Sequence, residues 1–187
     1  MVKKQSKQTP SYFAPEQKAD REVDMTQIDS REFRNALGQF ATGVTIVTTK
    51  DFQGQAVGMT ANSFSSLSLE PPLVLWSIAK TSSNYTAFVE TNDFAIHILN
   101  SEQQDLCGQF ARKDIDRFAG VSTETNAAGT PLLTEYLARF QCTTEHRYEG
   151  GDHIILVGRV NQLDTQAGEP LLFYKGSFEQ LAQTEPV

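Results

Sequence analysis

The sequence predicts a mainly β chain, closed as an antiparallel barrel with a few peripheral helices. Three observations carry that expectation. Aliphatic and β-branched runs of strand length recur at 44–49, 73–79, 94–99 and 153–160. Turn chemistry suited to hairpins follows strand-like runs, as in Asp51-Phe52-Gln53-Gly54 and Glu149-Gly150-Gly151-Asp152. The chain shows neither βαβ alternation nor a GxGxxG dinucleotide fingerprint, and closure removes the exposed edges of such a sheet.

The 187 residues are enough for one domain with a sizeable core. Residues 1–27 are polar and mixed in charge, carry Pro10 and Pro15, and read as a flexible N-terminal arm. Its apolar pair Tyr12-Phe13 would suit packing across a partner subunit. The domain then spans 28–187. A net charge of −7 argues against a nucleic-acid partner, which needs a basic face. No run approaches the ~18 apolar residues of a membrane span, and no secretory signal is evident. Cys107 and Cys142 fall in no metal or redox spacing and read as buried thiols of a cytoplasmic protein. The three histidines form no metal set.

Taken in order, Asp29-Ser30-Arg31-Glu32 has capping-box spacing, and Phe33, Ala36, Leu37 and Phe40 follow as one helical stripe. Gly43 is placed to end that helix. Strand 44–49, a turn at 51–54 and a second strand at 55–59 come next. Residues 73–79 are continuously apolar and should be covered on both faces. Tyr85, Phe88 and Val89 mark a short helix, with Ser82 or Ser83 as its N-cap. Strand 94–99 precedes a third helix with Leu106, Cys107 and Phe110 buried. Residues 113–130 read as an irregular excursion containing Arg117-Phe118. Strands 137–147 and 153–160 flank the second turn, 170–174 is a last short strand, and 175–181 is a tail.

The chain's most informative stretch is Gly58-Met59-Thr60-Ala61-Asn62-Ser63-Phe64-Ser65-Ser66-Leu67-Ser68-Leu69-Glu70-Pro71-Pro72. It is far longer than a bare turn requires. It offers many backbone N–H groups under little steric bulk, with hydroxyl and amide side chains beside them. That chemistry suits a planar polar ligand carrying a phosphate, and equally a plain serine-rich loop between two strands. Lys80, Ser82 and Ser83 place a cation and hydroxyls at a predicted helix start, where anions are favoured; a cap beside a solvated lysine explains them too.

This central run resembles the signature of the short-chain flavin reductases, the reductase components of two-component flavin monooxygenases. Phe40-Ala41-Thr42-Gly43-Val44-Thr45, Lys80-Thr81-Ser82-Ser83 and Gly151-Asp152-His153 fit the same family in order, from about residue 30 to 181. The resemblance implies an antiparallel FMN-binding split β-barrel and a homodimer. It implies hydride transfer from NADH or NADPH to FMN or FAD, with reduced flavin supplied to a partner monooxygenase. The alternatives are a resident-FMN reductase of a corrinoid, metal chelate or quinone, and a flavin-binding module without turnover.

On that resemblance, Thr60, Ala61, Asn62, Ser63, Phe64, Ser65 and Ser66 lie along the flavin ring, with Phe64 read as core rather than stacked on it. Lys80, Ser82 and Ser83 hold the phosphate. His153 positions the nicotinamide and is not an obligatory acid or base. Thr42-Gly43-Val44 reads as lying near the flavin or as a plain helix stop, and Arg117-Phe118 as a loop closing over the dinucleotide or mere surface. His97 stands where these reductases commonly carry Asn, so it is read as structural.

Overall fold

The computed structural model describes residues 28–182; the arm expected over 1–27 lies outside them. Helix α1 (Ser30–Leu37) opens the chain, and the Asp29 carboxylate accepts from the Arg31 and Glu32 amides at 2.9 Å, as its capping spacing predicts. There follow β1 (Thr42–Gly43), β2 (Thr45–Lys50), β3 (Ala56–Ala61), β4 (Ser65–Ser68), β5 (Leu73–Ala79), α2 (Tyr85–Glu90), β6 (Asp93–Ile98) and α3 (Gln104–Ala111). Then come β7 (Thr123–Thr125), β8 (Pro131–Leu133), β9 (Ala138–Gly150), β10 (His153–Thr165), β11 (Leu172–Tyr174) and β12 (Ser177–Glu179).

Seven strands form one antiparallel sheet in the order β3-β2-β6-β9-β10-β5-β4. Its two edge strands, β3 and β4, are consecutive in the chain, joined only by Asn62, Ser63 and Phe64. A link that short spans at most about 14 Å. The sheet therefore curls until the end of β3 comes within that reach of the start of β4, and the two edges form no ladder, as in a split barrel. β-branched residues supply β2, where Thr45, Ile46, Val47, Thr48 and Thr49 are all buried. Trp76, Ile78, Phe94, Ile96 and Leu156 fill the interior, with the Phe88 ring edge-on to Trp76 at 4.9 Å.

Several expectations change. Gly43 does not end α1; the helix stops at Leu37 with Gly38 as C-cap, and Gly43 pairs with Leu172 as a strand residue. Strand β5 is fully buried only at Val74, Trp76 and Ile78, because the alternate residues face the outside of the curl. The cap of α2 is Asn84, not Ser82 or Ser83. Excursion 113–130 contains β7, paired with β8, and the tail contains β12, paired with β11. The stripe Phe33, Leu37 and Phe40 is 54–77 % exposed, so α1 turns its apolar face away from its own barrel.

Candidate active site

The seam gathers the 58–66 run. Sheet edges present unpaired backbone N–H and C=O groups, and here they belong to β3 and β4. Ser63 staples the link to β5: its hydroxyl donates to the Ser77 carbonyl and accepts from the Ser77 amide, both at 3.0 Å. The Thr60 hydroxyl donates to the Cys107 carbonyl at 2.7 Å, tying β3 to α3. Phe64 stacks on Phe140 with centroids 5.8 Å apart and packs against the core. Ala61 is buried, Asn62 is exposed, and Ser65 and Ser66 pair with Leu75 and Val74 on the outer strand. Two hydroxyls of the run thus serve the fold, while Asn62, Ser65 and Ser66 stay exposed.

Thr60, Ser82 and Ser83, far apart in sequence, line one cleft of about 320 Å³ together with Asn84, Lys113 and Arg117. The Ser82 hydroxyl accepts from the Asn84 amide at 3.2 Å. Helix α2 has only six residues, so its dipole contributes little there and side chains must supply the field. Lys80 lies outside this cleft. Its amide donates to the Asp152 carbonyl at 2.9 Å and its ammonium forms an ion pair with Glu149, which holds the lysine above its usual pKa. Asn62 opens instead onto a second hollow of about 750 Å³, shared with Thr42, Leu37, Phe40 and Phe173.

Gly58, which opens the run, explains how the cleft is walled. A Cβ there would fall 2.5 Å from the Phe110 ring and 3.1 Å from that of Phe118. The two rings meet edge to face at 5.0 Å and lie directly on β3. The Gly58 carbonyl accepts from Arg117 Nη1 at 3.0 Å and from Asn84 Nδ2 at 3.3 Å.

His153 begins β10, opposite Ala79 of β5 and Gly150 of β9. Its Nδ1 donates to the Asp152 carboxylate at 2.7 Å, which holds that carboxyl below the usual range. From Ser63, on the far side of β5, to His153 is roughly 12 Å of sheet, about the reach of a tricyclic ring. His97 lies elsewhere, fully buried. Its Nδ1 donates to the Ile46 carbonyl and its Nε2 accepts from the Leu133 amide, each at 3.1 Å. Burial first, and then the nearby Arg139 charge, push its pKa down to about 3 against the Ile46 hydrogen bond. Cys107 and Cys142 are buried free thiols, and burial pushes both up, Cys142 to about 12. Among the described residues no group of histidine, cysteine or carboxylate side chains could hold a metal ion, and no helix is long and apolar enough to cross a membrane.

The site is thus a split antiparallel barrel with a polar seam, a hydroxyl- and cation-lined cleft on one side and a histidine one strand away. The chain belongs to the flavin reductase family: the flavin reductase like domain matches residues 37–182. It is 44 % identical over 160 residues to the reductase subunit HsaB of a flavin-dependent monooxygenase from Rhodococcus jostii, covering 85 % of this chain and 82 % of that one. It is 46 % identical over 155 residues to the FMN reductase (NADH) SmoA of Agrobacterium fabrum, covering 83 % and 88 %. The structure of the NADH:FAD oxidoreductase SgcE6 of Streptomyces globisporus, in complex with NAD and FAD fragments, superposes with a TM-score of 0.78 at 36 % identity, covering 82 % of this chain and 93 % of that one.

Proposed function

We propose that this protein is the reductase component of a two-component flavin monooxygenase, oxidising NADH or NADPH and reducing FMN or FAD. The observation that carries the reading is the seam. The unpaired edges of β3 and β4 present backbone groups along the seam, and the Ser63–Ser77 hydrogen bonds fix the link between them. Bound flavin supplies the hydride-accepting chemistry. The chain's own work is to hold two planar rings in register. Asn62 and the backbone through Ser66 hydrogen-bond the polar edge of the flavin, Ser82 and Ser83 take its phosphate, and His153 orients the nicotinamide. Ala61 and Phe64 shape the apolar floor.

A homodimer fits the exposed stripe of α1, since Phe33, Leu37 and Phe40 line or adjoin the hollow that Asn62 enters and a second subunit would cover them. The protein works in the cytoplasm, where NAD(P)H is available. Relatives named for a monooxygenase subunit support a monooxygenase as the consumer of reduced flavin.

The test is anaerobic mixing of the purified protein with NADH, with and without added FMN or FAD. A colourless protein that oxidises NADH only when flavin is added, and bleaches that flavin, is expected. A protein that binds flavin and leaves it oxidised would be a binding module, and the enzymatic reading would fall.

A further inference from the structure

Three hydroxyls converge on the link between β3 and β4, and each is already engaged. Thr45 of β2, 2 % exposed, donates to the Ala61 carbonyl at 2.6 Å. Thr60 donates to the Cys107 carbonyl at 2.7 Å. Ser63 donates to the Ser77 carbonyl and accepts from the Ser77 amide, both at 3.0 Å. The link is thereby tied to β2, α3 and β5. Apolar contacts hold it as well: Ala61 is buried, and Phe64 stacks on Phe140 of β9. Asn62 stays exposed between these ties. A hydroxyl carries a single hydrogen to donate. Those of Thr60 and Ser63 point at carbonyl groups of the fold, whereas the polar edge of a flavin offers acceptors at N1, O2, O4 and N5 and a lone donor at N3. Neither hydroxyl has a hydrogen left for an acceptor on the ring.

We propose that Thr45, Thr60 and Ser63 are positioning residues for hydride transfer: they act on the flavin through the backbone of residues 60–64 that they fix, and not by touching the ring. The inference rests on the flavin reading above. It deepens that reading by adding Thr45, which lies outside the 58–72 run, and by taking two hydroxyls of the run out of direct contact with the ligand. The physical reason is preorganisation. A link free to move must be ordered by the ligand, and that ordering is subtracted from affinity; a link held on three elements is ordered beforehand. Hydride transfer depends on where the accepting atom sits, so a link that drifts lowers the rate together with the affinity.

The experiment uses the full chain with Thr45→Val, Thr60→Val and Ser63→Ala, each of which removes one hydroxyl, and with Thr45→Ser and Thr60→Ser, which keep it. It measures dissociation constants for FMN and riboflavin, the visible spectrum of flavin bound at saturation, kcat for NADH oxidation at saturating flavin, and Tm. Each of the first three variants should weaken FMN and riboflavin alike, by about fivefold, because the ties act at the ring and not at the phosphate. The fall in kcat should be about threefold. The absorption bands of the bound flavin should keep the parent's positions, because no contact to the ring is lost. Thr45→Ser and Thr60→Ser should restore affinity and rate. A Thr45→Val protein that binds FMN and turns over like the parent, or that differs only in Tm, overturns the role of Thr45. Displaced bands in Thr60→Val or Ser63→Ala make those hydroxyls flavin ligands and overturn the proposal. So does a serine variant as impaired as its valine counterpart, which assigns the effect to packing of the lost methyl group. If Thr45→Val fails to fold, Thr60→Val and Ser63→Ala, both at half-buried positions, decide the outcome. A parent protein that binds neither flavin removes the flavin reading itself.

Discussion

His97 sits in the middle of β6 with none of its surface exposed, and both ring nitrogens are bonded to backbone groups of other strands. His153 sits at the first position of β10 with 41 % of its side chain in solvent, one nitrogen on Asp152 and the other without a partner among the described residues. The same side chain is a cross-brace in one place and a poised ligand in the other. Three local facts decide which: desolvation, the number of bonds already made, and whether a carboxylate or a carbonyl is the acceptor. An imidazole that satisfies the Ile46 carbonyl and the Leu133 amide has nothing left to offer a substrate. An imidazole tethered at Nδ1 has a defined orientation and a free Nε2.

The comparison breaks most visibly at the buried end. His97→Ala would strand a carbonyl and an amide in the barrel wall and open a cavity between β2, β6 and β8. Each unsatisfied group costs about 1–3 kcal/mol, so a loss of about 3–5 kcal/mol and roughly 10 °C in Tm is expected. A chemical-denaturation curve measures it. A loss under about 1 kcal/mol would mean that water or a rearranged β8 replaces both bonds, and that His97 is no brace.

Acid sharpens the same contrast without a mutation. The His97 imidazole is held at about 3 in the folded protein, while in the unfolded chain it titrates near 6.5. Between those values the unfolded state takes up a proton that the folded state refuses. The stabilisation is therefore fully present above pH 6.5 and is lost progressively as pH falls towards 3. Between pH 6.5 and 4.5 the loss amounts to about 2 kcal/mol. The carboxyls of Asp152 and Glu145 are held below their usual values in the fold, so they add to the loss only at still lower pH. Urea unfolding at pH 6.5, 5.5 and 4.5 gives the slope. In His97→Asn, which does not titrate, the decline over this interval should nearly vanish; an unchanged slope would assign it elsewhere.

Much of the scaffold was legible because its signals are local. The β-branched run 44–49 forms β2 (Thr45–Lys50), Asp29 caps α1, and Phe64 packs, half-buried, against the core. What was missed lacks any local signal. β7 is Thr123-Glu124-Thr125, exposed and polar throughout, and exists only because β8 lies beside it. The stripe of α1 correctly announces a helix, but spacing cannot say whether that stripe meets its own barrel or another surface. Lys80 illustrates the limit best. In sequence it lies two residues from Ser82; in space its backbone follows the register that sets Ala79 opposite His153, and its side chain joins the β9–β10 hairpin. Pairing between strands some 75 positions apart is not written in a four-residue window. Arg117-Phe118 was visible as an arginine beside an aromatic. Its fixed position came from Gly58, whose missing Cβ serves close approach rather than a turn.

The smallest expected effects lie at the exposed histidine, and they separate orientation from binding. His153→Ala should lower the rate of NADH oxidation at saturating flavin by about tenfold, near 1.4 kcal/mol of barrier, and change FMN affinity little. Asp152→Asn tests whether the tether matters. An asparagine oxygen still accepts from Nδ1, so the ring keeps its place, but the neighbouring charge that favours this arrangement is gone. The expected fall is about threefold in rate, with a changed pH profile and an unchanged Tm, because Asp152 is exposed and the turn keeps its Gly151. Since Lys80 bonds to the Asp152 carbonyl and not its carboxylate, the β5–β10 register should survive the substitution. A parent-like rate and pH profile would leave Asp152 as a surface carboxylate, with His153 acting alone. A fall as large as that of His153→Ala would make the pair a single unit, and the contrast with His97 would then lie in which acceptor holds the ring, not in exposure.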